Sequence, residues 1–249
     1  MILLQTIASN AGFRDPSAND KRTACYRQLL SIAKECSADV LLLPGGFWTV
    51  DRYADLGPLV DQLLIAANQA EVAVIGGIDV EAPEKGKVSK TGPAVPFPWY
   101  GFVGGRTAAV PVKECEWRQT SSTQKNAWDV PDDQVPGIDR IVTIGNQTVA
   151  VMICGELFSE RARKSVSELK PSLVVDLGHS GMGMGLQPAM ANVARQGKCA
   201  VAHSQHVASF WTPSLHFVTA EEVQQPHLVS ACQTVGDDDF WVAYLRREV

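Results

Sequence analysis

The sequence lacks the features that mark several large classes of protein. No apolar run approaches the ~20 residues of a membrane-spanning helix, and Met1 to Gln5 has neither the basic start nor the small-residue cleavage site of a signal peptide. Positive charge is not in excess either, because the formal net charge is -5, which argues against a nucleic-acid or anionic-membrane surface. We therefore expect a cytoplasmic protein whose partner is a small-molecule substrate or ligand.

The chain also has no paired cysteine motif and no linker. Its 6 cysteines are scattered without C-x-x-C spacing, which predicts reduced thiols in a chain that shows no export signal. Free cysteine is among the most buried residue types, so most of the six are expected to be core residues. With 249 residues and no change in composition that would separate two units, residues 1–249 are predicted to form one domain.

Apolar strands, amphipathic helices and hairpins make up what is present. Strand–helix units are predicted over residues 1–77 and 159–203, and a hairpin is predicted where Gly145-Asn146 separates two β-branched runs. Two further strands are predicted at 228–234 and 240–245. Hairpins do not belong to a plain doubly wound sheet, so the order favours a mixed α/β fold, with two sheets packed face to face and helices outside.

One strand ends in residues that carry chemistry. The apolar run Val149 to Ile153 is followed directly by Cys154, Gly155 and Glu156. In α/β proteins functional groups collect where buried strands end, so Cys154 is the first candidate for a nucleophile. A catalytic cysteine needs a base or a positively charged neighbour, and Lys113 is placed at the end of a strand-like segment earlier in the chain.

These motifs in this order resemble the nitrilase, or carbon-nitrogen hydrolase, superfamily. The resemblance rests on a strand ending in Pro44, a lysine after a middle strand, Pro136-Gly137, and Ile153-Cys154-Gly155-Glu156, and it spans nearly the whole chain. It implies a four-layer α-β-β-α sandwich and hydrolysis of a small non-peptide amide or nitrile. It also implies a homodimer, or a higher homo-oligomer, and neither metal nor organic cofactor.

The resemblance implies roles for individual residues. Cys154 corresponds to the nucleophile that forms a thioester, Lys113 to its electrostatic partner, and the Gly155 N–H to an oxyanion donor. The family's glutamate is missing, because Gly45 stands where the pattern has Pro-Glu. A general base is worth ~100- to 10,000-fold in rate, so its loss bears directly on activity.

Three interpretations of Gly45 stay open. In the first, a carboxylate from elsewhere in the chain acts as the base. Those nearest in sequence to the other site residues are Glu114, Glu116 and Glu156. Alternatively the first motif is displaced, although no carboxylate follows in that loop before Asp51. The third interpretation is an inactive protein of the same fold that serves as a binding or assembly module.

The remaining candidates belong to the pocket or to other chemistries. His179 and Ser180 follow a strand and are predicted to touch substrate; Gly178-His179-Ser180-Gly181-Met182 departs from the Gly-x-Ser-x-Gly nucleophile elbow at its last residue. Trp48 is placed in a loop at the pocket mouth. His203 and His206 are three apart in a strand and so point to opposite faces, which argues against a metal site.

Overall fold

The computed structural model describes residues 1–80, 98–104, 113–118, 140–180, 185–208, 215–221, 227–229 and 233–249. Within these ranges the longer elements are β1 (Ile2–Ser9), α1 (Asn19–Glu35), α2 (Tyr53–Ala70), β4 (Ala73–Val80), β5 (Pro98–Gly104), β6 (Lys113–Arg118), β8 (Gln147–Ile153), α3 (Glu160–Glu168), β9 (Leu173–Ser180), α4 (Leu186–Gly197), β10 (Ala200–Val207) and β14 (Trp241–Glu248). The shorter strands are β2 (Val40–Leu42), β3 (Trp48–Val50), β7 (Ile141–Ile144), β11 (Leu215–Val218), β12 (His227–Val229) and β13 (Gln233–Gly236).

The strands follow one hydrogen-bonded path that folds into two layers. Its order is β6-β5-β4-β2-β1-β10-β9-β8-β7, and β1 meets β10 only near the ends of the two strands, where Ala8 pairs with His206. Four pairs near the centre of the path are parallel: β1 with β2, β2 with β4, β10 with β9, and β9 with β8. The pairs nearer its two ends are antiparallel: β4 with β5, β5 with β6, and β8 with β7. The sheet is therefore mixed, as predicted.

Three apolar cores separate four layers. The inner core lies between the two halves of the sheet and joins residues of β1, β2 and β4 to residues of β7, β8, β9 and β10. A first outer core packs α1 and α2 on one half, and a second packs α3 and α4 on the other. Leu56, Val60, Leu63 and Ala67 show why α2 lies flat on its sheet, because their spacing forms one apolar stripe. The resulting α-β-β-α sandwich confirms the predicted fold class.

Local signals in the sequence placed several elements correctly and missed others. The hairpin formed by β7 and β8 turns at Gly145-Asn146 as predicted. Strands β3 and β11 were not predicted, and the single strand predicted over 228–234 is wrong: β12 pairs with β11, whereas β13 pairs with β14. Among the described residues, no helix has the length and apolar character needed to cross a membrane.

Candidate functional site

Cys154 lies at the point where β8 gives way to a short 3₁₀ helix, Cys154–Phe158. Its φ of 49° is in the left-handed region, which a residue with a Cβ adopts at a cost of about 1–3 kcal/mol and which recurs at functional sites. The side chain is partly exposed and packs against the inner core, whereas Cys25 and Cys199 are buried. The fold therefore holds this thiol, at the end of its strand, between the two halves of the sheet.

The surroundings of the Cys154 sulfur act on its protonation in opposite directions. Burial raises the pKa of the thiol to about 11, and the negative charge of Asp176 raises it further. The backbone N–H groups of His179 and Gly155 hydrogen-bond to the sulfur and lower its pKa. At neutral pH the resting side chain is a thiol, so nucleophilic attack requires a group that accepts its proton.

A fully buried Asp176–His203 pair supports the backbone of Cys154. The Asp176 carboxylate accepts the backbone N–H of Cys154, and His203 Nδ1 lies 2.6 Å from Asp176 Oδ2. Burial raises the pKa of Asp176, and its bonds to His203 and Cys154 oppose that rise. From the sequence, Asp176 was weighed as a metal ligand, and His203 as a metal ligand or as the histidine of a serine hydrolase. Within the described ranges no cluster of three or more metal-binding side chains occurs.

Glu156, predicted as a candidate base, is committed to an ion pair. Its side chain is fully buried, Oε1 lies 3.0 Å from Arg140 Nη2, and Oε2 accepts the N–H of Ile153 at 2.8 Å. These contacts fix the turn that follows β8. Because both carboxylate oxygens are engaged by these contacts, this geometry favours a structural role for Glu156 over that of a base.

Gly45 follows β2 and lies against the end of β9, where its N–H donates to the Gly178 carbonyl at 3.1 Å. A Cβ placed on Gly45 would lie 2.7 Å from the carbonyl oxygen of Leu177 and 2.9 Å from Cε1 of His179. Both distances are shorter than real Cβ contacts, so the chain has no room for a side chain here. The imidazole of His179 lies where that side chain would begin.

His179 is paired with a second buried acid, Asp79 of β4. The distance from His179 Nε2 to Asp79 Oδ1 is 3.1 Å, and Arg14 Nε lies 3.5 Å from Asp79 Oδ2. Burial raises the pKa of Asp79 to about 7 against the opposing effect of Arg14, and burial lowers the pKa of His179 well below its usual value. A Cβ on Gly46, which has a φ of 60°, would lie 2.6 Å from Asp79 Oδ2.

Sequence reasoning missed Asp79, although a signal for it existed. Asp79 is the one charged residue in the otherwise apolar or glycine-containing strand Ala73–Val80, and an acid in a buried strand needs a partner. His206 was weighed from the sequence as a metal ligand or as the histidine of a serine hydrolase. In the structure its Nδ1 lies 3.2 Å from the Ser9 carbonyl and its Nε2 3.2 Å from the Gly45 carbonyl, and Phe13 packs on its ring at 4.7 Å.

Other predicted site residues have different outcomes. Trp48 was predicted in a loop, which is wrong: it lies in β3, fully buried in the first outer core against Tyr26. Its ring packs beneath α1 and α2. Alternate residues of a strand face opposite sides of the sheet, and Trp48 lies on the side away from the inner core that Cys154 contacts. Ser180 ends β9, where it pairs with His206; no more than this place in the sheet is described for it.

Lys113, Glu114 and Glu116 all belong to β6, and the structure describes only their places in that strand. Lys113 opens the strand, which corrects the prediction that it ends one. It is in register with Val103 of β5, and Val103 is in register with Ile75 of the inner core.

Comparison with known proteins identifies the fold. No protein-family model matches the chain, and no curated protein sequence matches it. The solved structure of an amidase from Nesterenkonia sp. is 14% identical, with a TM-score of 0.66 over 98% of this chain and 90% of that chain. A cysteine-to-alanine mutant of the Nesterenkonia AN1 amidase, from the nitrilase superfamily, is 13% identical, with a TM-score of 0.64 over 98% and 90% of the two chains.

A third structure shows the chemistry of that amidase. It is a glutamate-to-glutamine mutant with the acetamide moiety of fluoroacetamide added covalently at the active-site cysteine, 14% identical, with a TM-score of 0.65 over 98% of this chain and 90% of that chain. At this level of identity the likeness concerns the fold. The protein described here has the mixed α/β sandwich found in nitrilase-superfamily amidases.

Proposed function

We propose that this protein hydrolyses a small non-peptide amide through a thioester on Cys154. The observation that carries the proposal is the setting of this thiol: partly exposed, at a strand end, in a left-handed conformation, with the N–H groups of Gly155 and His179 directed at its sulfur. Amidases of the same fold support it, since one of them is seen with covalent addition at its cysteine.

In the proposed reaction the sulfur attacks the carbonyl carbon, the C–N bond breaks, and the amine leaves with a proton. Water then attacks the thioester, which releases the carboxylic acid and restores the thiol. The Gly155 N–H and Lys113 stabilise the negative charge that develops on the carbonyl oxygen. The position of Lys113, in the same cross-strand row as Ile75 of the inner core, is compatible with this role.

A second candidate function has its own observation. Gly45 has no side chain and no space for one, and the pKa of Cys154 is about 11. These two facts favour a binding or assembly module built on an inactive amidase fold. The two functions differ in one measurable respect, which is whether Cys154 forms an acyl intermediate that turns over.

The test uses acetamide, butyramide and acrylamide, with ammonia release as the assay and intact mass as the readout for covalent addition. Wild type is expected to release ammonia from at least one amide and to add acrylamide at Cys154. Cys154→Ala is expected to do neither, and Cys36→Ala is the matched control, because Cys36 is the other partly exposed cysteine in the described ranges. Turnover that persists in Cys154→Ala, or none with any amide, contradicts the hydrolytic function.

The same samples test the homodimer that the resemblance implies. Light scattering coupled to gel filtration measures the mass of the particle, and the mass of one chain is 26.9 kDa. A particle of one chain contradicts this part of the proposal without affecting the chemistry.

A further inference from the structure

We infer that the His179–Asp79 pair replaces the missing glutamate, with His179 as the proton acceptor at Cys154 and Asp79 as the residue that positions it. This inference rests on the proposed function, since it supplies the base that amide hydrolysis at Cys154 requires. It concerns two residues on two strands, β9 and β4, neither of which carries the family's first motif.

Space at Gly45 is the first argument. A side chain at position 45 would start 3.1 Å from Nδ1 and 2.9 Å from Cε1 of His179. The imidazole therefore takes the volume into which a base at position 45 would extend. A glutamate side chain at position 45 and the imidazole of His179 cannot both occupy that volume, so the histidine requires a glycine at position 45.

Connection to the nucleophile is the second argument. The backbone N–H of His179 hydrogen-bonds to the sulfur of Cys154, so the residue that carries the imidazole is already in contact with the thiol. The two residues lie at the ends of adjacent parallel strands, where Ile153 pairs with Leu177. The carboxyl ends of such strands share one edge, and side chains that follow them meet there.

The contact between His179 and Asp79 is the third argument, because it defines which nitrogen can accept a proton. Nε2 lies 3.1 Å from Asp79 Oδ1, and Nδ1 is the nitrogen on the side of Gly45. With the carboxylate accepting from Nε2–H, Nδ1 presents a lone pair. A carboxylate that holds an imidazole in one tautomer beside a nucleophile is the arrangement of a catalytic triad.

Proton balance follows from these roles. The S–H bond of Cys154 breaks as the S–C bond forms, and Nδ1 of His179 takes the proton; the imidazolium then gives it to the leaving nitrogen as the C–N bond breaks. In the second half, water gives a proton to Nδ1 as its oxygen bonds to the thioester carbon. The S–C bond breaks, and the proton returns to the sulfur.

Several charged or titratable groups surround the pair and shape its pH dependence. Arg14 faces Asp79 from the segment after β1, and Arg22 of α1 favours the ionised carboxylate from farther away. Burial lowers the pKa of His179, and the charges of His206 on β10 and of Arg14 lower it further. The adjacent Asp79 carboxylate, when ionised, favours the positive charge that His179 carries after it accepts a proton.

The experiment measures the rate at which iodoacetamide alkylates Cys154 across the pH range, with wild type, His179→Gln and Asp79→Asn. Wild type is expected to show a neutral-pH component, well below the titration of the thiol itself. His179→Gln is expected to lose that component, with a rate at pH 7 lower by about 100-fold, the lower end of the range known for general bases. Asp79→Asn is expected to lose less, about 10-fold, because Asp79 positions the base and does not itself accept the proton. His216→Gln is the matched control, because this imidazole also has a pKa lowered by burial but lies on β11.

Two outcomes overturn the inference. The first is that the pH profiles of wild type and His179→Gln superimpose. The second is that the wild-type profile has a single alkaline inflection; this result rules out a base at neutral pH even where a variant fails to fold. Rescue of His179→Gly by added imidazole is a readout that a merely structural histidine would not show. Ammonia release is scored separately, so a protein that hydrolyses no amide contradicts the proposed function, while the alkylation profile still decides the role of His179.

Discussion

Replacement of Gly45 by alanine tests the packing on which the candidate site depends. The new methyl carbon would lie 2.7 Å from the Leu177 carbonyl oxygen and 2.9 Å from His179 Cε1. A Cβ in ordinary van der Waals contact lies about 3.4–4 Å from its neighbours, so the two contacts fall short by at least about 0.5–0.7 Å. The Leu177 carbonyl is part of the β9 backbone and cannot rotate away as a flexible side chain would.

The cost can be worked from these two contacts. Overpacking of this kind costs about 1–3 kcal/mol. An added Cβ also restricts the unfolded chain, which returns about 0.4–1 kcal/mol of stability. The net expectation is a loss of about 1–2 kcal/mol, and for a chain of this size each kcal/mol lowers Tm by about 2–4 °C.

The assay is thermal and urea unfolding of Gly45→Ala beside wild type, with Gly57→Ala as the matched control. Gly57 lies within α2, and a Cβ there meets no atom within 4 Å, so Gly57→Ala is expected to stabilise the helix by up to about 1 kcal/mol. The double variant Gly45→Ala, His179→Ala removes one of the two close contacts. It is expected to be more stable than the sum of its single changes by about 0.5–1 kcal/mol.

One result refutes the reasoning. If Gly45→Ala unfolds at the same temperature as wild type, or above it as Gly57→Ala is expected to do, then position 45 has space for a side chain. His179 would then not occupy the volume of a side chain at position 45.

Three further changes test other contacts. Glu156→Ala leaves Arg140 buried without its counter-charge and should lower the free energy of unfolding in urea by about 3–5 kcal/mol. The control Glu248→Ala, which removes an exposed carboxylate, should lower it by less than about 1 kcal/mol, and equal losses would contradict the buried ion pair. Because the pKa of Asp79 is raised to about 7 in the folded protein, its contribution is complete below about pH 4 and is lost as pH rises through 7. The free energy of unfolding of wild type minus that of Asp79→Asn should therefore fall between these pH values, and a flat or rising difference would contradict the raised pKa. Trp48→Ala should cost about 3–5 kcal/mol, since the ring is fully buried; a small cost with altered amide preference would place Trp48 at the pocket instead.

Sequence patterns predicted the elements whose signals are local. The hairpin of β7 and β8 has its turn residues and its β-branched runs side by side in the chain, and the structure confirms it. The apolar stripe of α2 is likewise contained in one segment. Strand β3 was missed because three residues are too few to show a period, and it forms only through pairing with the end of β4.

Partnerships between distant residues were not predictable in the same way. The sequence offered Glu156 either as a base or as an ion-pair residue, and its partner Arg140 is identified only when β7 and β8 have formed. The correction at Lys113 has a similar cause: the sequence pattern placed a strand before it, whereas pairing with β5 places Lys113 in the strand that continues to Arg118.

The sequence by itself determined the layered α/β class, the thiol at the end of β8 and the presence of a glycine at position 45, since each follows from residues that are neighbours in the chain. The tertiary structure alone decided what fills the space at Gly45. His179 follows Gly45 by more than a hundred positions, and Asp79 lies on a third strand; the three meet because β2, β4 and β9 bring their carboxyl ends to one edge of the sandwich. Pairing over such separations depends on the packing of both sheet layers, and no local pattern encodes it.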